Sequence, residues 1–272
     1  MRLIRFLDVP VSAGHMAVDA AILESTGGAG LGGGDAVLRF YRWPRPTLSL
    51  GYFQKLGDRG LHDASASIDV VRRASGGGAI VHHHEWTYSL SFPDDLFRDR
   101  LRGAGDATDW MYRGVHRIWC DAMRAIGVGG VVMHEDDPRQ HRGCDAGGGS
   151  EQCEAFLCFH RRSQYDLILS GYKILGSAQR RGRGGRLQHG SLLWRASEFA
   201  PTLPGVIELT PVSSAAHATS APMDLIERFS RGVADWLGVT VIDRLSLDPF
   251  LADKAKTIDQ SKFASDKWLQ RR

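Results

Sequence analysis

The 272-residue sequence predicts an α+β fold, for three reasons. Short runs of alternating, β-branched and aromatic residues recur along it, broken by Gly and Pro in the way antiparallel strands are. Two longer segments carry apolar residues at helical spacing. Hydrophobic residues make up 43% and charged residues 24%, a balance that supports one large core and argues against disorder.

In chain order, residues 3–7 read as a first strand, and residues 15–24 have helical preferences that stop at Gly27. Strands follow at 36–41 and 47–52, around the break Trp43-Pro44-Arg45-Pro46, then at 69–73, 79–82 and 87–92. The clearest helix spans 110–126: Met111, Val115, Ile118, Trp119, Ala122 and Ile126 share a face, and Gly127 ends it. Cys120, just off that stripe, reads as a packing residue. The polar, glycine-rich stretch 135–154 reads as a mobile loop near 145–150. Further strands fall at 165–169, 173–179 and 187–194, the last two joined by a basic hairpin tip, 180–186. An amphipathic helix at 223–237 is closed by Gly238. The chain thus divides into one domain, 1–253, and a polar C-terminal tail, 254–272.

A formal net charge of +3 is too small to indicate a nucleic-acid partner. Asp8 interrupts the N-terminal apolar run, and no stretch of about 18 apolar residues occurs, so neither a signal peptide nor a membrane is indicated. Four cysteines are too few for a disulfide framework in a chain this long. Reduced thiols in the cytoplasm are the expectation.

Gly28, Gly30 and Gly33 match a dinucleotide fingerprint formally, but they follow a helix and precede a strand, so a linker is the reading. His141, Cys144, Cys153, Cys158 and His160 contain no close cysteine pair, and no metal is expected there. In His82-His83-His84, strand alternation puts His82 and His84 on one side. The run Arg72-Arg73-Ala74-Ser75-Gly76-Gly77-Gly78-Ala79 sets three glycines after a strand. It is either a tight turn or a loop whose N–H groups hold a carbonyl or a phosphate. Arg180, Arg181, Arg183 and Arg186 form a solvated tip, a docking surface for an acidic carrier, or a short RNA-binding segment.

Five blocks taken together carry a resemblance. They are Trp43 to Gln54, Arg72 to His82, Glu85 to Ser89, Gly171 to Gln179 and Gln188 to Leu193, in that order. The sequence resembles the lipoate-protein ligase and octanoyltransferase family of the lipoate/biotin protein ligase superfamily. The resemblance implies a mixed, largely antiparallel sheet packed with helices, like the class II aminoacyl-tRNA synthetase and biotin synthetase catalytic domain, with a tunnel for a medium-length acyl chain. It implies that Arg73, Ser75, Gly76, Gly77, Gly78 and His82 lie along the tunnel. It places Lys173 at the reactive end, with Gly176, Ser177, Ala178, His189 and Gly190 on the opposite wall.

Within this family, ligases activate the acyl group with ATP, whereas transferases pass it through a cysteine. Cys158, fifteen positions before Lys173, is similar to the nucleophile of one octanoyltransferase class. Free cysteine has a pKa near 8.5, and an adjacent ammonium favours the thiolate. The expected function is therefore octanoyl or lipoyl transfer through Cys158 and Lys173. The donor is an acyl carrier protein or an acylated glycine-cleavage protein, and the acceptor is a lysine of a lipoyl domain. No cofactor is expected for that reaction. Its rivals are an ATP- and Mg2+-dependent lipoate or biotin ligase and a non-catalytic binding module. Two departures stand out: Gly78 and Tyr172 occupy positions where the family often has arginine.

Overall fold

The computed structural model describes residues 1–26, 34–96, 106–135 and 155–271. The glycine fingerprint at 28–33, the loop near 145–150, and His141, Cys144 and Cys153 lie outside the described residues. Among those described, the strands are β1 (Leu3–Leu7), β2 (Ala36–Tyr41), β3 (Thr47–Leu50), β4 (Asp69–Arg72), β5 (Ile80–His82), β6 (Trp86–Pro93), β7 (Val132–Met133), β8 (Leu167–Leu169), β9 (Tyr172–Arg181), β10 (Gly185–Leu192) and β11 (Val241–Arg244). The helices are α1 (His15–Thr26), α2 (Ala107–Ala125), α3 (Val206–Leu209), α4 (Ala221–Leu237), α5 (Pro249–Ile258) and α6 (Asp266–Leu269).

Eight strands form one sheet in the order β11-β1-β2-β6-β10-β9-β8-β7. The pairs β11/β1 and β1/β2 are parallel, and pairing from β2 to β7 is antiparallel. A second sheet of three strands, β4-β3-β5, faces the candidate site. The mixed, largely antiparallel architecture expected from the sequence is the one observed.

Helices α2 and α4 cover one face of the large sheet, where Leu38, Phe40, Tyr88 and Leu90 pack with Met111, Trp119, Phe229 and Val233. Helices α1 and α5 cover the β1–β2 end of the other face, where Ile4, Phe6 and Val37 meet Val18, Ile22 and Leu251. Every residue of β2 is buried for this reason. α1 is buried almost all round, since it lies between the sheet and α5. Its Asp19 accepts hydrogen bonds from Arg39 (2.9 Å), Tyr41 (2.9 Å) and Ser89 (2.7 Å), so the buried carboxylate pins the helix to β2 and β6.

Several boundaries differ from the sequence reading. β8 begins at Leu167 because Tyr165 has a positive φ of 73° and turns the chain. Arg180, Arg181 and Arg186 belong to strands, and the hairpin tip is the segment 182–184. The strand β11 and helix α5 carried no strong sequence signal, because β11 is short and half exposed and α5 buries just Leu251 and Ala255. The segment after residue 253 folds back. Trp268 donates from its indole N–H to Arg72 O at 3.0 Å, and the Arg72 guanidinium donates to Leu269 O at 2.8 Å. Cys120 is buried, as expected of a packing residue. Among the described residues no helix is long and apolar enough to cross a membrane.

Candidate active site

Cys158 opens a single helical turn, Cys158–His160, that is stitched to the glycine loop. Ala79 N–H donates to Phe156 O at 2.9 Å, and Cys158 N–H donates to Ala79 O at 2.8 Å. The loop therefore lies flush against the cysteine backbone. A Cβ on Gly78 would stand 2.8 Å from Cys158 N, so position 78 has no room for a side chain, let alone arginine.

Lys173, near the start of β9, reaches the same point from the large sheet. Its Nζ lies 3.8 Å from Cys158 Sγ and 2.7 Å from Asp166 Oδ2. Lys173 is 6% exposed and Asp166 3%. Burial pulls the Lys173 pKa down, but the Cys158 sulfur and the Asp166 carboxylate outweigh it and hold the value above that of an ordinary lysine. An ammonium is thus kept beside the sulfur. Gly176 makes room for it, since a Cβ there would stand 2.3 Å from Lys173 Cε.

A cavity of about 550 Å³ extends from this pair, within the usual range for small-ligand sites. The small sheet and glycine loop supply one wall through Arg73, Gly76, Gly77, Ile80 and His82, with Cys158 and Phe159 beside them. The large sheet supplies the other through Thr87, Gly176, Ser177, Ala178, His189, Gly190 and Ser191. Met16 and Tyr112 contribute from α1 and α2. Ser75 and Gly78 are not among the residues lining the cavity.

Three polar side chains along these walls are held by internal partners. Arg73, fully buried, donates to Ser49 O and Oγ at 2.7 Å and to Gly78 O at 2.8 Å. Burial pulls its pKa down to about 10, against the attraction of Cys158, so it stays cationic at neutral pH and clamps the loop by its carbonyls. His82 lies between Glu85 Oε1 (2.6 Å) and Ser49 Oγ (2.7 Å), and Trp43 stacks on its ring at 4.2 Å. His189 Nε2 is 2.6 Å from Ser75 Oγ, and burial pushes its pKa down to about 4. Among the described residues no group of three or more His, Cys, Asp or Glu is arranged to hold a metal.

Residues 13–206 match the model of the lipoyl protein ligase A/B catalytic domain. The chain belongs to that family. Octanoyltransferase LipM of Symbiobacterium thermophilum is 32% identical over 95% of this chain and 94% of that protein. Octanoyltransferase LipM of Brevibacillus brevis is 30% identical over 95% and 94%. A bi-partite lipoate protein ligase from Thermoplasma acidophilum, 18% identical, superposes with a TM-score of 0.65 over 99% of this chain and 97% of that one, which extends the family's fold to the whole chain.

The structure gathers Cys158, Lys173, Arg73, Gly76, Gly77, His82, Gly176, Ser177, Ala178, His189 and Gly190 of this family member around one cavity. Sequence reading assigned no role to Asp166, Glu85, Ser49, Tyr112 or His116. For Asp166 a signal existed: the Ser170-Gly171 dipeptide marks a tight turn, and in the structure both residues have positive φ. That turn folds β8 back on β9 with Ile168 opposite Lys173, and so brings the Asp166 carboxylate, just before β8, within reach of the lysine.

His116 and His189 are both buried, and burial lowers each from the ordinary 6.5 to about 4. Between those values the unfolded chain binds protons that the folded chain refuses. Their contribution to stability is therefore complete above pH 6.5 and lost as pH falls toward 4, by up to roughly 3 kcal/mol for each residue. Thermal melting followed across this window should show a falling midpoint, and a midpoint constant from pH 7 to 4 contradicts the assignment.

Proposed function

We propose that this chain is an octanoyltransferase of protein lipoylation that works through a Cys158 acyl-enzyme. The observation that carries the reading is the buried Lys173 ammonium, 3.8 Å from the Cys158 sulfur at the edge of the cavity. It is supported by the LipM relatives, which are matched over nearly the full chain.

The Cys158 thiolate, with the Lys173 ammonium 3.8 Å from the sulfur, attacks the carbonyl of an octanoyl thioester on a carrier. The bond from that carbonyl to the carrier sulfur breaks, and Lys173 gives its proton to the departing thiolate. A neutral Lys173 amine then takes a proton from the acceptor lysine of a lipoyl domain. The freed amine attacks the acyl-cysteine, an amide forms, and the Cys158 sulfur leaves. The second proton released by the acceptor passes to water, so that one turnover restores the ion pair and liberates one proton to solvent. Exchange of thioester for thioester followed by formation of the more stable amide requires no ATP. Seven alkyl carbons buried between the glycine loop and β10 contribute about 6 kcal/mol of donor binding. A thiol used this way needs a reducing compartment, and the cytoplasm is the proposed setting.

Incubation of the protein with octanoyl carrier, without ATP, should add one octanoyl mass to the intact chain and none to Cys158→Ala, whose transfer to a lipoyl domain should fall below about a thousandth of wild type. Transfer by Cys158→Ala that persists when ATP is supplied would point to a ligase instead. Gly176→Ala gives a subtler outcome. Its methyl would stand 2.3 Å from Lys173 Cε and 2.7 Å from Nζ, so the melting temperature should fall with the strained ion pair, and in protein that still melts cooperatively single-turnover acylation should slow by about 100-fold. Acylation at the wild-type rate in that variant would contradict the role given to Lys173.

A further inference from the structure

We infer that His116 is a positioning residue for the transfer, joining the turn that carries Asp166 to the strand beside Lys173 and thereby fixing the ammonium against the Cys158 sulfur. The inference rests on the acyl-enzyme reading above.

His116 lies on α2 and is 1% exposed. Its two ring nitrogens meet different segments of chain. Nδ1 is 2.6 Å from Tyr165 O, and Nε2 is 2.6 Å from Ser177 Oγ. A carbonyl can only accept, so Nδ1 carries the hydrogen. Burial lowers the imidazole pKa to about 4, so at neutral pH Nε2 has a lone pair and the Ser177 hydroxyl donates to it. Ser177 Oγ then accepts from the Tyr88 hydroxyl at 2.7 Å, which in turn accepts from Gln188 Nε2 at 3.0 Å. Every hydrogen in this chain has one direction, and the ring cannot flip without breaking two bonds.

The two segments it joins are those that flank Lys173. Tyr165 holds φ at +73°, a left-handed conformation that a non-glycine residue keeps only where its surroundings enforce it. Two backbone contacts enforce it: Tyr165 N–H donates to His134 O at 2.7 Å, and Tyr165 O accepts from His116. The next residue is Asp166, whose carboxylate holds the Lys173 ammonium. On the other side, Ser177 follows Gly176, the residue whose missing Cβ leaves space for the lysine. The imidazole thus sets the spacing between carboxylate and strand from behind, without touching substrate. A hydrogen-bonded core histidine with no part in the reaction is the competing account. It makes the same contacts but predicts different behaviour of the thiol.

The test uses His116→Leu, His116→Asn and Ser177→Ala, each first checked for a cooperative melt at neutral pH. Single-turnover acylation by octanoyl carrier and alkylation of Cys158 by iodoacetamide are then measured. Loss of both bonds in His116→Leu should lower kcat by about 10- to 100-fold with KM for the donor within about threefold. Alkylation should slow as well, because the ammonium no longer stands by the sulfur. His116→Asn, whose amide can reach the Tyr165 carbonyl, should recover to within about fivefold of wild type, as a positioning bond allows. Ser177→Ala, which keeps the Tyr165 bond but removes the Nε2 partner and the acceptor of the Tyr88 hydroxyl, should fall between the two, and it decides the matter if His116→Leu does not fold. Wild-type acylation rates in the folded variants overturn the inference, and so does faster alkylation, the sign of a merely loosened core. Failure of the acyl-enzyme reading itself would look different: the wild-type chain would take up no octanoyl group on Cys158.

Discussion

One buried ammonium organises this site. Moving a lysine charge out of water costs several kcal/mol even after the protein relaxes, and the cost is recovered only by close, well-oriented anions. Lys173 has Asp166 at 2.7 Å and the Cys158 sulfur at 3.8 Å. Much of the nearby structure follows from that need. Asp166 must face inward, which the left-handed turn at Tyr165 and the Ser163 N–H bond to its carboxylate at 2.6 Å arrange. Position 176 must lack a side chain, and the glycine loop must lie close enough to Cys158 for the sulfur to sit beside the cation.

Away from that pair the walls are polar yet have little unsatisfied hydrogen-bonding capacity to offer a ligand. Arg73 spends its donors on Ser49 and the loop carbonyls, His82 is held by Glu85 and Ser49, and His189 is held by Ser75. An alkyl chain lying against such groups breaks no hydrogen bond and still gains from leaving water. The division of labour is spatial: charge is concentrated at the reactive end, and neutral or internally paired groups line the remainder. The strand leading into the glycine loop is anchored from outside through Arg72 and Trp268, so the C-terminal segment supports the wall that carries Arg73.

Strands and long helices were legible in the sequence because their apolar periods are local. β1 and β2 run over the residues that alternation and β-branching pick out, and the helix around Trp119 shows its face plainly. Cys158 and Lys173 stand out in the sequence because a thiol and an amine in matched family blocks are chemically conspicuous, and the structure sets them side by side at one cavity. Asp166 was harder. It looks like any acidic residue before a strand, and its role appears once the Ser170-Gly171 turn folds it onto the lysine. His116 gave no signal at all, since one polar residue on an amphipathic helix has no periodicity, and both its partners are distant in sequence. The edge strand β11 and the first turn of helix α5 carry little sequence signal because partial exposure leaves them few apolar residues to count.

The claim that the ammonium governs the reactivity of the sulfur is tested most directly in Lys173→Met, which keeps the length of the side chain and removes its charge. The quantity to measure is the single-turnover rate at which Cys158 acquires an octanoyl group from its carrier, with the melting temperature as a control on folding. The account predicts a fall of about 100-fold or more, the scale expected when a nucleophile loses the group that activates it. A folded variant that is acylated as fast as the wild-type protein would contradict it.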